Sequence, residues 1–173
     1  MFDRLIDLIV KFIGLFQVYT FIAQYEEGVV LRYGKYHRTI KPGWRWILPL
    51  NLESVLTDNV VPTPTKLGVQ SLHTNDGHHI NIKGVLFWKI TDIRKVLLDV
   101  EDADDALMAA ATGYISEMVA NHTWDEIRAP QFARNLKSKI QEQAREWGIR
   151  VMKVYISDCS KTRAIRMWHE GLD

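Results

Sequence analysis

The segment from residue 78 to residue 90, introduced by the turn tripeptide Asn75-Asp76-Gly77, constrains the fold of this 173-residue chain more than any other. Asn, Asp and Gly supply the left-handed backbone conformations of a tight reversal. After them Ile80, Ile82, Gly84, Leu86, Trp88 and Ile90 alternate with Asn81, Lys83, Val85, Phe87 and Lys89. Successive side chains of a strand point to opposite faces, so this period of two predicts a long β-strand. Its second half is apolar on both faces, which places it in the middle of a sheet.

The residues before it also carry strand signals: FQVYTFIA at 16–23, EEGVVLRYGKY at 26–36 with Gly28 and Gly34 as punctuation, WRWILPL at 44–50 and SVLTDNVVPTPT at 54–65. Pro62 and Pro64 cannot donate to a ladder, so their stretch predicts an edge strand or an extended crossing segment. Helical signals follow. Glu101, Asp102, Asp104 and Asp105 suit the positive end of a helix dipole. Ala106, Leu107, Ala110, Ala111, Tyr114 and Met118 then form an apolar stripe ending near Asn121. Thr123 and Glu126 have capping-box spacing, so a short helix starts at Trp124. Pro130 suits the first turn of another, with Phe132, Leu136, Ile140, Ala144 and Trp147 along one face and Gly148 as its stop. Residues 150–157 read as a last strand and 161–169 as a helical tail. Strands, then helices, then a strand give an α+β class.

The first 22 residues are unusually apolar. Phe2, Leu5, Ile6, Ile9, Phe12, Ile13 and Phe16 recur at three and four residues, with Asp3, Asp7, Lys11 and Gly14 opposite. This is the pattern of an amphipathic helix. A simple span needs about 20 uninterrupted apolar residues, more than the uncharged stretch 12–25 offers. A cleaved signal needs a basic start, whereas this segment opens with Asp3 and Asp7. The stripe suits a helix lying in a membrane interface. It equally suits a helix packed on the protein's own core or on a neighbour, or a shallow re-entrant hairpin. One short helix with Arg4 and Lys11 as its cations holds a membrane modestly, so stable attachment requires several copies acting together.

Lys and Arg total 22 against 21 Asp and Glu. That balance gives no single-sign field for nucleic acid, and none is expected as a partner. Cys159 is the sole cysteine, which excludes an internal disulfide framework and a thiolate-based zinc site. No phosphate-binding loop, dinucleotide fingerprint or hydrolase elbow is present, and no cofactor is expected. His73, His78 and His79 around Asp76 form the one candidate for metal or acid/base chemistry. Adjacent strand residues point to opposite faces, however, so His78 and His79 cannot share one ion without distortion. No catalytic or metal-binding residue is assigned. Cys159 has no sequence neighbour that would activate a thiolate, although His169 could approach it; lipidation of this cysteine is a further reading. Trp44, Arg45, Trp46, Ile47, Leu48 and Leu50 suit a membrane-water boundary, and they equally suit a strand whose alternate residues fill the core. The acidic run 101–105 is explained by helix-start stabilisation, and a docking face is its alternative.

In this order the stretches YEEGVVLRYGKYHRTIKPGWRWILPL (25–50), TNDGHHINIKGVLFWKITDIRKVLLDVEDADDAL (74–107) and EWGIRVMKVYISD (146–158) resemble the SPFH/band 7 domain of stomatins, prohibitins, flotillins and a bacterial pair that regulates a membrane protease. Thr123-Trp124-Asp125-Glu126-Ile127 stands where the stomatin branch has a short helix. The resemblance implies an SPFH domain over 23–158 with a β-rich first half and an α/β second half; the apolar pattern adds a membrane-associating segment over 1–22, and a short helical tail over 159–173 departs from the family. It also implies peripheral or monotopic attachment to the cytoplasmic face of a membrane, self-assembly into rings, and a non-catalytic role as a scaffold that contacts membrane lipid and organises partner membrane proteins. A regulatory binding module acting on an ATP-dependent protease, or on longer SPFH assemblies, is the alternative. Membrane contact is expected at Phe2, Leu5, Ile6, Ile9, Phe12, Ile13, Phe16, Trp44 and Trp46. The family usually continues into a long Ala/Glu-rich helix, whereas the tail here reaches only about 20 Å, so lateral contacts between domains are the expected route to a homo-oligomer.

Overall fold

The structure is a computed structural model that describes residues 19–50 and 52–162. The expected amphipathic helix, with Phe2, Leu5, Ile6, Ile9, Phe12, Ile13 and Phe16, lies outside the described residues, as does the tail from 163 on. Among the described residues the order is β1 (Tyr19–Ile22), β2 (Glu26–Arg32), β3 (Lys35–Ile40), β4 (Gly43–Trp46), β5 (Glu53–Asn59), β6 (Thr63–Lys66), β7 (Gln70–His73), β8 (His79–Ile90), α1 (Ile93–Leu98), α2 (Ala103–Asn121), α3 (Trp124–Arg128), α4 (Pro130–Glu146) and β9 (Ile149–Lys161). Strands precede helices and a strand closes the series, which is the predicted α+β class. The chain divides into two compact units.

The first unit takes residues up to Pro62 together with 89–103 and 145–150. Antiparallel β3, β2 and β5 form a three-stranded sheet, and β1 pairs with β4 in a separate antiparallel ribbon. Val29 and Val30 of the central strand β2 are fully buried, and Val30 clusters with Ile22, Ile40 and Val55. Gly28 is required by close approach: a Cβ there would sit 2.5 Å from the Leu56 carbonyl oxygen across the β2–β5 ladder. Helix α1 starts after Asp92, whose carboxylate accepts from the Arg94 and Lys95 N–H groups at 3.2 and 3.4 Å. Helix α1 leaves no periodic signal in the sequence, because a six-residue element with only Ile93 and Val96 buried shows no full period.

Gly148 ends α4 as predicted, in the left-handed region at φ 78°. Its carbonyl accepts from Thr91 N–H, Asp92 N–H and Thr91 Oγ1 at 2.9, 3.0 and 2.8 Å. A Cβ at this position would lie 2.7 Å from the Asp92 carbonyl oxygen. Gly148→Ala combines backbone strain with a backbone clash and is expected to destabilise the protein by about 3 kcal/mol, read as a drop in the urea midpoint at unchanged slope.

The second unit takes residues 63–88, 104–144 and 151 onward. Its sheet is organised by β8, which pairs antiparallel with β7 through its first half and with β6 through its second, and also pairs with β9. The central position predicted for this strand is where it lies, with Ile80, Ile82, Leu86 and Trp88 buried. Pro64 stands in β6, whose partner is β8, in agreement with an edge assignment. Strand β7 is not among the sequence-based assignments; QSLH is weakly patterned and is extended because β8 offers its edge. Buried Trp88 donates through Nε1 to Thr65 Oγ1 at 3.0 Å, and Thr65 Oγ1 donates to Asp104 at 2.9 Å, so the polar atoms of this layer are satisfied.

On α2 the buried line runs through Ala103, Leu107, Ala111, Ile115, Met118 and Val119, whereas Ala106, Ala110 and Tyr114 are half-buried. Leu107, Ala111 and Met118 of the predicted stripe are buried, and Ile115 and Val119 complete the line in place of Ala110 and Tyr114. Helix α3 starts at Trp124 with the expected capping box: Thr123 N–H and Thr123 Oγ1 donate to Glu126 Oε2 at 2.8 and 3.0 Å. Phe132, Leu136, Ile140 and Ala144 of α4 are buried as predicted, while Trp147 follows the helix end and is half-buried. Strand β9 runs past residue 157 to Lys161, so Cys159 and Lys161 lie in a strand and not in a helical tail. The cause is the ladder: Thr162 N–H still donates to the His79 carbonyl at 2.8 Å, which extends pairing beyond the apolar signal.

Candidate functional site

The β1–β4 ribbon carries the most unusual surface in the first unit. Its register sets Tyr19 opposite Trp46 and Phe21 opposite Trp44. Directly opposed residues share a face, and residues two apart on a strand share a face, so these four rings project from the same side. They are exposed at 50, 63, 70 and 76% for Tyr19, Phe21, Trp44 and Trp46. Ile22, one position out of phase, is buried. The Tyr19 and Phe21 rings lie 5.2 and 6.1 Å from that of Trp44, tilted and edge-on, so the patch is a contiguous aromatic platform. Leu48 and Leu50 continue the exposed apolar surface. Burial of large rings is what β-aromatic alternation normally achieves, and a platform left open points to another surface that covers it.

The segment after Trp46 is pinned from beneath by Glu53, the most buried acid of the unit. Its Oε1 accepts from Arg32 Nη2 and Nε at 2.8 and 3.0 Å, and its Oε2 accepts from the Leu48 N–H at 3.0 Å and Arg38 Nη2 at 3.4 Å. Arg38 Nη2 also donates to the Trp46 carbonyl at 2.6 Å, tying the end of β4 to β3. Burial alone would raise the Glu53 pKa. The Arg32 hydrogen bond, the Leu48 N–H and the charges of Arg38 and Arg32 outweigh it and hold the carboxyl below the ordinary glutamate value.

The two readings of the Trp44–Leu50 stretch are thus separated by orientation. Trp44 and Trp46 do not fill the core. Tyr19 and Phe21 lie beside them on the same face, marked in the sequence by the alternation in residues 19–22, which becomes meaningful once β1 is known to pair with β4.

His73, His78 and His79 form one His–His pair and one His–Asp pair. His73 and His79 face each other across the β7–β8 ladder with ring centroids 3.8 Å apart. His78 Nε2 lies 3.7 Å from Asp76. Asp76 accepts from the Thr74 hydroxyl and, at 3.2 Å, from the Trp124 N–H, so it fastens the β7–β8 turn to the start of α3. The Thr74 hydrogen bond is the main reason its pKa is lowered; desolvation opposes, and the Trp124 N–H and His78 assist. Among the described residues no group of three or more His, Cys, Asp and Glu could hold a metal ion. The Cys159 thiol is pushed up by burial and by Asp158, against Arg128, which works against a nucleophilic thiolate. Asp104 and Asp105 occupy the first turn of α2 as helix-start acids. Among the described residues no helix is long and apolar enough to cross a membrane.

Residues 20–166 match the model of the SPFH domain / Band 7 family. An uncharacterized protein of Methanocaldococcus jannaschii is 24% identical over 164 residues, covering 92% of this chain and 82% of that protein. A mitochondrial stomatin-like protein 2 of Rattus norvegicus is 29% identical over 147 residues, 82% of this chain and 40% of its own length. A stomatin-like protein of Caenorhabditis elegans is 25% identical over 143 residues, 82% of this chain and 44% of its own. The chain thus spans less than half the length of these two stomatin-like relatives.

Proposed function

Because this chain belongs to the SPFH domain / Band 7 family, whose stomatin-like members are generally membrane-associated, we propose that it is a non-catalytic membrane scaffold that seats its β1–β4 ribbon on lipid. The single observation that carries this reading is the platform of Tyr19, Phe21, Trp44 and Trp46, which is apolar, contiguous and exposed. Trp and Tyr favour the headgroup level of a bilayer, where a ring is partly desolvated while its N–H or O–H stays wet. Trp44 and Trp46, with Tyr19 and Phe21 beside them, are the lipid contacts in the described residues, and Phe2, Leu5, Ile6, Ile9, Phe12, Ile13 and Phe16 form a second contact in the segment 1–22. Attachment is peripheral or monotopic, on the cytoplasmic face.

In this reading, weak contacts of individual copies become firm through multivalency. Self-assembly into a lateral array or ring therefore accompanies membrane binding, and partner membrane proteins are organised by it. Mass photometry of full-length protein in mild detergent and after extraction from vesicles tests the assembly. Large uniform particles are expected. Monomers or dimers under both conditions would replace the scaffold with a regulatory binding module that acts on a membrane protein such as an ATP-dependent protease. Deleting residues 2–18, which leaves β1 and the aromatic platform in place, is expected to weaken vesicle binding, and full retention would remove that segment from the proposed contact.

A further inference from the structure

We propose that the cleft beside Trp44 and Trp46 binds the phosphate of an anionic phospholipid headgroup, an inference that rests on the membrane reading and adds a lipid class to it. The cleft has a volume of about 440 Å³ and is lined by Arg38, Thr39, Lys41 and Arg45 together with both tryptophans. Three of these residues are cations and none is an acid. The bias extends along the sequence: residues 28–52 contain Arg32, Lys35, Arg38, Lys41 and Arg45 but no Asp or Glu, in a chain whose net charge is +1. The next acid, Glu53, is already engaged by Arg32 and Arg38. Among the described residues Lys41 and Arg45 thus have no balancing carboxylate, and they stand beside an apolar platform, which is the charge complement of an anionic leaflet.

The donors are also placed in advance. Arg45 is held by its own turn, Nε donating to the Lys41 carbonyl at 3.0 Å and Nη2 to the Pro42 carbonyl at 3.2 Å. A guanidinium has five N–H donors, so N–H groups remain for phosphate oxygens, and its ordering has already been met by folding. Arg38 is fixed in the same way by the Trp46 carbonyl. Lys41 is exposed, and among the described residues its ammonium has no hydrogen-bond or ion-pair partner. Rings that settle at headgroup depth bring these cations to the level of the phosphates, and Arg matches phosphate oxygens in paired fashion while Lys adds a point charge.

Flotation of the full chain with vesicles of phosphatidylcholine alone, and with one third of it replaced by phosphatidylglycerol, tests this assignment. Tighter binding to the anionic vesicles is expected. Lys41→Glu should weaken that binding roughly thirtyfold, and Arg45→Gln about fivefold, with a much smaller loss on phosphatidylcholine, whose choline offsets its phosphate, and folding checked by circular dichroism. Equal binding of the wild-type chain to both vesicles overturns the lipid class and leaves the membrane reading intact. Binding to neither removes both. Wild-type affinity of both variants for anionic vesicles overturns the site, and so does displacement by inorganic phosphate beyond that by chloride at equal ionic strength, which would mark a site for a soluble anion.

Discussion

Replacing Trp44 and Trp46 together by alanine is expected to lower the partition of the chain onto phosphatidylcholine vesicles roughly a hundredfold. Full burial of a large apolar side chain is worth about 1.5 kcal/mol or more, and two such losses amount to about 3 kcal/mol. Both rings are more than two-thirds exposed, so removing them opens no core cavity. What the fold loses is the contact of Trp44 with Tyr19 and Phe21, worth about 1 kcal/mol. The variant should therefore stay folded, with a urea midpoint lowered by about 0.5 M at a slope of about 2 kcal/mol/M, while its vesicle binding collapses. Unchanged partition would remove the ribbon from the proposed membrane surface. A large fall in the midpoint would instead make the platform a structural element.

Glu53→Gln is the second, and it acts on stability. Removing one partner of a buried ion pair leaves the others uncompensated, which commonly costs about 3–5 kcal/mol. Arg32 and Arg38 have side chains 37 and 40% exposed and can recover water, so a loss near the low end, about 3 kcal/mol, is expected. The Leu48 N–H keeps an amide acceptor in the glutamine variant but loses the charge that strengthens the bond. The sign of the pH dependence follows from linkage. The folded pKa of Glu53 lies below its unfolded value, so its stabilisation is fully present above the unfolded value of about 4.3 and is lost as pH falls through the lower folded one. Wild-type stability should drop over this acid range, and the Glu53→Gln variant should show a shallower drop. Parallel pH curves for the two would mean that Glu53 does not hold this segment.

Much of this architecture was legible in the chain because it rests on local rules. The turn 75–77 and alternation through 80–90 specify β8, the spacing of Thr123 and Glu126 specifies the start of α3, and Gly148 marks a left-handed stop. Family membership was legible for the same reason: turn residues, strand periods and caps recur in a definite order over 20–166. Short elements were less legible. A six-residue helix such as α1 or a four-residue strand such as β7 carries too little periodicity to stand out, and each exists because a longer neighbour offers it a partner. Strand β9 ran past its apolar signal to Lys161 because the ladder to β8 supplies the hydrogen bonds.

By itself the sequence determined the long extended segments, where α3 and α4 begin, and that the residues around 44–50 are aromatic, basic and apolar at once. Whether Trp44 and Trp46 face inward or outward was decided only by tertiary structure. Strand periodicity says that residues 44 and 46 share a side without saying which side is wet. The pairing of β1 with β4 resolves that choice: it buries Ile22 on one face, collects Tyr19, Phe21, Trp44 and Trp46 on the other, and depends on a register between residues more than twenty positions apart. Glu53 is the same case. Nothing beside it in sequence marks a buried carboxylate, and it is stable there because β2 and β3 bring Arg32 and Arg38 to it, a compensation that exists only once the three strands have met.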